Sequence, residues 1–142
     1  MTQANYVRHS IFSEIKVGDF RKLDVWQQAH EVTCDVYRAT RKFPKEERFG
    51  LVDQLRRAGV SVGSNIAEGC GRNNNGDFAR SLSIALGSAN ELLYLLILST
   101  DLDFLADPLL ADRADHSCRM LFRLHASVVR EREQERRLSR RR

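Results

Sequence analysis

QLRRAGVSVGSNIAEG, the stretch from Gln54 to Gly69, decides the fold of this chain. Its apolar and small residues recur every three or four positions, which is the spacing of one face of an amphipathic α-helix. This stripe predicts a helix whose apolar face is buried in a protein core. Its members are Leu55, Ala58, Val62, Ile66 and Gly69.

A second stripe runs beside the first and is polar and hydrogen-bond-rich, unlike the long charged side chains of a plain solvated face. A later helix repeats this character at Ser88 and Glu91, and we expect Arg57 to pair with Glu91, or with Glu68 of a second copy. Buried polar groups often set the register between helices or subunits, and a groove for a ligand or nucleic acid is the alternative. The predicted subunit or helix interface comprises Gln54, Arg57, Ser61, Asn65, Glu68, Ser88 and Glu91.

Helical periodicity extends over most of the remaining chain. Phe43-Pro44 ends the first segment, because a residue before proline avoids the helical conformation. Asp107-Pro108 is typical of a helix start. The predicted helices cover residues 23–42, 45–68 and 77–101, and a fourth begins at 107 and continues into the C-terminal tail. Four helices with short connections predict an all-α, antiparallel up-down-up-down four-helix bundle.

The end of the third helix, Leu92 to Leu98, is apolar on every side and predicts a second partner surface, since one bundle cannot cover it all.

This run is too short to span a bilayer, which needs about 20 residues, and the N-terminus lacks a signal-peptide pattern. Three widely spaced cysteines predict free thiols. We therefore expect a cytoplasmic protein with no membrane partner.

The sequence contains no motif that would support catalysis or cofactor binding. Bundle di-metal sites use Glu-x-x-His on two helices, and this pattern is absent. Gly-x-Ser-x-Gly exposes a nucleophilic serine when it lies on a strained strand-to-helix turn, but Gly59-Val60-Ser61-Val62-Gly63 lies within a predicted helix instead. A glycine-rich phosphate loop is absent. We therefore predict a protein that is not an enzyme and has no metal or cofactor.

The net charge of +4 comes from the tail, because residues 130–142 hold seven arginines and three glutamates and the rest of the chain is neutral. We predict three parts: a loosely ordered leader (1–20, with a short ordered piece at 11–15), the bundle (21–129) and an arginine-rich extension (130–142). Arginines can neutralise RNA or DNA phosphates, and a solvated helix end is the alternative. The candidate contacts are Arg130, Arg132, Arg136, Arg137, Arg140, Arg141 and Arg142.

Several of these residues carry a family resemblance that covers roughly residues 21–105. The chain resembles the small bacterial four-helix proteins encoded in intervening sequences of large-subunit ribosomal RNA genes. The matching elements are Leu23-Asp24-Val25-Trp26, Phe43-Pro44 with Glu47, Leu51 with Gln54-Leu55-Arg56-Arg57, Ser61, Asn65-Ile66-Ala67-Glu68-Gly69, Phe78, and Gly87-Ser88 with Glu91.

The resemblance implies a cytosolic helical protein that assembles into a closed ring, a pentamer, and it carries no catalytic residues. The chain is also similar to the accessory protein of diversity-generating retroelements, a basic pentameric barrel that binds nucleic acid and a reverse transcriptase. It differs in that only its tail is basic. We therefore expect a non-enzymatic homo-oligomer that acts as a nucleic-acid-associated adaptor. The alternative is a protein-binding scaffold without nucleic-acid activity.

Overall fold

The computed structural model describes residues 18–142, and within them it contains four α-helices and no β-strand. The helices are α1 (Asp24–Thr40), α2 (Leu51–Cys70), α3 (Asn75–Asp101) and α4 (Leu109–Arg140), and single 3-10 turns cover Phe20–Lys22 and Lys45–Glu47. The predicted all-α class with four helices is confirmed. The predicted leader lies outside the described residues except for positions 18–20, and so does its ordered piece.

Each helix packs against two others, since α1 and α3 both contact α2 and α4. The apolar stripe of α2, from Leu55 to Gly69, is buried at all five positions. The core contains two hydrophobic clusters, one around Ile66, Leu82 and Leu121, and the other around Val36, Leu55 and Leu96. α3 supplies residues to both clusters.

Local hydrogen bonds set the start of α2 later than the sequence predicted. We expected the helix to begin near Lys45, but the chain makes a 3-10 turn there and breaks at Gly50. The Glu47 side chain accepts a hydrogen bond from the Leu51 backbone N–H at 3.3 Å. This carboxylate satisfies one of the free N–H groups of the first turn, so α2 begins at Leu51.

The starts of α3 and α4 are fixed by short polar side chains. Asn74 Oδ1 accepts a hydrogen bond from the Asp77 N–H at 2.8 Å, so α3 begins two residues earlier than predicted. Asp107 Oδ1 accepts from the Leu109 N–H at 2.9 Å, and α4 begins at Leu109, two residues after the predicted start. α4 then continues to Arg140, as expected for a helix that runs into the tail.

α3 is also the most apolar helix, with a mean hydropathy of 1.6 over its most apolar 18-residue window. By length and composition alone it could cross a membrane. A helix in the core of a soluble protein can meet the same criteria, and α3 packs against both α2 and α4.

An ion-pair cluster centred on Asp35 joins α1 to α4. Arg113 Nη1 lies 2.5 Å from Asp35 Oδ2, and Arg38 Nη1 lies 2.7 Å from Asp35 Oδ1. The pKa of the Asp35 carboxyl is held below its usual range, chiefly by the hydrogen bond from Arg113 and also by the hydrogen bond from Arg38. The ionised form is therefore favoured by folding.

We expect Asp35→Asn to lower the free energy of unfolding by about 1 kcal/mol at pH 7, which is the upper end for partly exposed ion pairs. Because the folded-state pKa is lowered, this contribution is present above the unfolded pKa of about 3.9 and is lost as pH falls through the folded value. Urea unfolding at pH 7 and pH 3 measures it. Asp101→Asn, at an exposed carboxylate, is the control, and equal losses at both pH values would contradict the role of this charge.

Candidate functional site

Three residues of the predicted interface stripe join α2 to α3 within one chain. The Ser61 and Ser88 hydroxyls share a hydrogen bond at 2.7 Å across the two helices. Asn65 Nδ2 donates to the Ser61 carbonyl at 2.8 Å and to its hydroxyl at 3.2 Å. These side chains are half-buried, so this part of the stripe fixes the register of α2 against α3.

The other four residues of the predicted interface are exposed. Arg57 Nη1 lies 3.7 Å from Asp53 Oδ2 on its own helix, and Glu68 pairs with Arg72 one turn further along. The ion pair expected between Arg57 and Glu91 is not formed among the described residues. Gln54 and Glu91 also point outward, which leaves these polar groups on the outer surface of α2 and α3.

Apolar side chains are also exposed on α2 and α3. Tyr94 belongs to the partner surface predicted at residues 92–98, whereas Val60 and Ile84 were missed by the sequence reasoning. Ile84 and Tyr94 are 51% and 60% exposed, and Val60 on α2 is 47% exposed. Apart from Gly87 itself, its chain neighbours and the adjacent backbone of α3, no heavy atom of the described residues lies within 4 Å of a Cβ built on Gly87. Ile84, Gly87 and Tyr94 are separated by three and seven positions, and this helical spacing on one face of α3 was the signal that could have identified the surface. We call Val60, Ile84, Gly87 and Tyr94 the outer apolar patch.

The α4 extension touches the rest of the chain at the α2–α3 turn. Asn75 Nδ2 donates to Glu135 Oε1 at 2.9 Å. The Arg132 guanidinium packs over Gly76, where an added Cβ would lie 3.3 Å from its Nε and Cζ atoms. Arg132 is therefore half-buried, unlike the other six arginines of the candidate nucleic-acid contact, which are exposed.

An open cleft of about 370 Å³ lies between this turn and α4. Several of its polar groups already have partners, since Asn74 bonds Asp77, Asn75 bonds Glu135 and Arg72 bonds Glu68. Burial raises the pKa of the Cys70 thiol at its edge to about 11, which keeps that thiol protonated and unreactive. The cleft is lined by Gly69, Cys70, Arg72, Asn73, Asn74, Asn75, Phe78 and Glu135.

Within residues 18–142, the side chains that could bind a metal ion lie apart from one another. No three side chains of His, Cys, Asp or Glu come together as metal ligands there. Cys34 Sγ does lie 3.7 Å from His30 Nε2, a contact that the sequence analysis did not identify. The Trp26 ring stacks on the face of this imidazole, at 4.8 Å between centroids, and a stacked ring supplies no hydrogen bond to orient it.

Comparison with known proteins agrees with this architecture. The model of the family described as "23S rRNA-intervening sequence protein" matches residues 21–123. A solved structure from Bacteroides thetaiotaomicron, a protein of unknown function from the S23 ribosomal protein family, is similar over 72% of this chain and 95% of its own. The TM-score is 0.65 and the sequence identity 24%, which shows a shared fold. No curated protein matches the chain. Because the family model covers most of the chain, including the whole interface stripe, the protein belongs to the 23S rRNA-intervening sequence protein family.

Proposed function

We propose that this protein is a non-enzymatic homo-oligomeric adaptor that associates with RNA or DNA through the arginine-rich end of α4. The observation that carries the proposal is that this segment is both helical and exposed to solvent. α4 continues as a helix to Arg140, and every residue from Glu133 onward is exposed. A helix that presents several arginines to solvent can replace the counterions of nucleic-acid phosphates, and this release favours binding.

We infer that the four helices form an antiparallel up-down-up-down bundle. Only residues 71–74 separate α2 from α3, and residues 102–108 separate α3 from α4. Connections this short, between helices that pack along each other, are typical of antiparallel neighbours. We also place the protein in the cytoplasm and away from membranes. The three cysteines are free thiols, as expected in a reducing compartment.

We further propose that copies of this bundle assemble into a closed ring through the outer surface of α2 and α3. The outer apolar patch supports this step, because exposed apolar side chains grouped on one surface commonly mark a protein interface. The polar residues beside it, Arg57, Glu68 and Glu91, would supply its polar rim. A head-to-tail contact that closes on itself generates a ring. Five copies is the number that the family resemblance implies.

Fluorescence anisotropy with labelled RNA and DNA across a salt series tests the nucleic-acid role. We expect the full chain to bind with an affinity that falls steeply with salt, and a version ending at Val129 to lose this binding. A full-length variant with glutamine at the six exposed tail arginines, with Arg132 left in place, is the matched control, because it keeps the helix and its contact with Gly76 and removes most of the positive charge. Absence of binding by the full chain at low salt would overturn the proposal.

Light scattering on the same samples tests assembly and separates the second candidate function. We expect a mass of five times the 16.3 kDa chain for both the full-length and truncated forms. A ring that forms without binding RNA or DNA would identify a protein-binding scaffold, and the outer apolar patch is the observation that favours that alternative. A monomer would overturn the ring.

A further inference from the structure

The exposed arginines of α4 begin well before the tail. Arg119, Arg123, Arg130, Arg137 and Arg141 are exposed and separated by four or seven positions. Seven residues make nearly two helical turns, so these side chains fall on one face of α4. We call this set the arginine stripe. At a rise of 1.5 Å per residue it is about 33 Å long.

The guanidinium groups of this stripe make few direct ion pairs, although the exposed Glu133 lies on the same face between Arg130 and Arg137. Arg119 Nη2 lies 3.4 Å from Asp115 Oδ2, and Arg130 Nη2 donates to the neutral Ser127 hydroxyl at 3.3 Å. Within residues 18–142, no acidic group lies within 4 Å of the guanidinium groups of Arg123, Arg137 or Arg141. Most of the stripe is therefore available to an anionic partner.

The arginine stripe is also held in place along its length. Its first part is anchored by the buried face of α4, where Cys118, Leu121 and Val128 pack in the core. Its second part is fixed to the α2–α3 turn by the Asn75–Glu135 hydrogen bond and by Arg132 over Gly76. Arg132 thus acts as a positioning residue for the extension. A charged row that is ordered before binding loses less conformational entropy when it binds.

We infer that the arginine stripe binds the phosphate backbone of a nucleic-acid duplex. The binding surface then begins at Arg119, on the part of α4 that belongs to the four-helix bundle. This inference rests on the proposed function and extends it to residues outside the tail. The length of the stripe is close to one turn of duplex DNA, about 34 Å. Its charge is complementary to the regular phosphates of a rigid double strand.

The neighbours of the arginine stripe favour a duplex over the other polyanions. Proteins that bind single strands add aromatic platforms for the bases, and Phe122, 61% exposed, is the one aromatic side chain of α4. A helix that lies on a lipid surface needs a broad exposed apolar face. From Arg130 to Arg140 the apolar residue is Leu138 alone, which is too little for such a face.

The test compares R119Q/R123Q with R41Q/R48Q, which removes two exposed arginines from the α1–α2 connection instead. Binding to a duplex and to one of its single strands is measured by anisotropy across a salt series. We expect the slope of log affinity against log salt to fall by about 2 in R119Q/R123Q and to stay unchanged in R41Q/R48Q. R119K/R123K keeps the charge and is expected to restore the slope, which excludes a folding defect.

The outcomes separate the inference from the proposed function. If truncation at Val129 abolishes binding but R119Q/R123Q behaves like R41Q/R48Q, the tail alone binds and the inference is wrong while the function stands. Equal or tighter binding of the single strand overturns the assignment to a duplex. If the full chain binds neither nucleic acid but does bind vesicles of anionic phospholipid, both proposals are wrong.

Discussion

Leu121→Ala is expected to lower the free energy of unfolding by about 3 kcal/mol. Leu121 is fully buried on α4, in the cluster that also contains Ile66 and Leu82. Removing its outer carbons loses apolar burial and leaves a cavity, and buried Leu→Ala substitutions cost about 2–5 kcal/mol. This is a large fraction of the stability of an ordinary domain. Urea unfolding followed by circular dichroism at a fixed protein concentration measures it.

The adjacent residue provides the matched control. Phe122 is the next side chain on α4 and is 61% exposed, so Phe122→Ala is expected to change the stability of the single chain by less than about 0.5 kcal/mol. Comparable losses in the two variants would contradict the orientation of α4 in the structure. A loss for Phe122→Ala that appears only at concentrations where the protein is oligomeric would place that ring in a subunit contact.

The second large effect is expected from Gly69→Ala, because side chains of α3 pack directly against this glycine of α2. A Cβ at this position would lie 2.8 Å from Phe78 Cδ2 and 3.0 Å from Ser81 Cβ, both on α3. We expect the free energy of unfolding to fall by about 2 kcal/mol as the helices are forced apart. This expected change already includes the higher helix propensity of alanine, which by itself would raise the free energy of unfolding by about 1 kcal/mol.

Gly87→Ala is the control, since it makes the same chemical change in an open position of α3. There the propensity gain is expected to raise the stability of the single chain by about 0.5–1 kcal/mol. Phe78→Leu should recover part of the stability lost in Gly69→Ala, because it replaces the ring that the new methyl group meets with a smaller side chain. Equal gains for both alanine variants would show that α2 and α3 are further apart than the structure places them.

The helices and their buried faces could be predicted because burial imposes a period of 3.6 residues on the sequence. Leu55 and Ile66 on α2 and Leu82 and Leu96 on α3 are all fully buried, as their spacing required. The helix starts were less predictable. The start of α2 depends on one Glu47 side chain, and its hydrogen bond to the backbone leaves no periodic signal in the sequence.

The candidate site was predicted only in part, because its residues are brought together by packing between helices. Ser61 and Ser88 meet across α2 and α3, as their shared character indicated. By contrast, the contact between Arg113 and Asp35 joins residues far apart in the sequence and follows no local pattern. Arg119 and Arg123 were overlooked for another reason, since we counted charge by segment and the helix arranges it by face.

The two hydrophobic clusters are connected through α3, whose Leu93 packs against both of them. Neither end of the molecule can therefore open without disturbing the helix that supports the other end. Such an arrangement makes unfolding cooperative, so that the chain is expected to melt as one unit. A partner that binds at the α4 end would consequently slow amide hydrogen exchange at the opposite end as well, around Leu96 and Leu105.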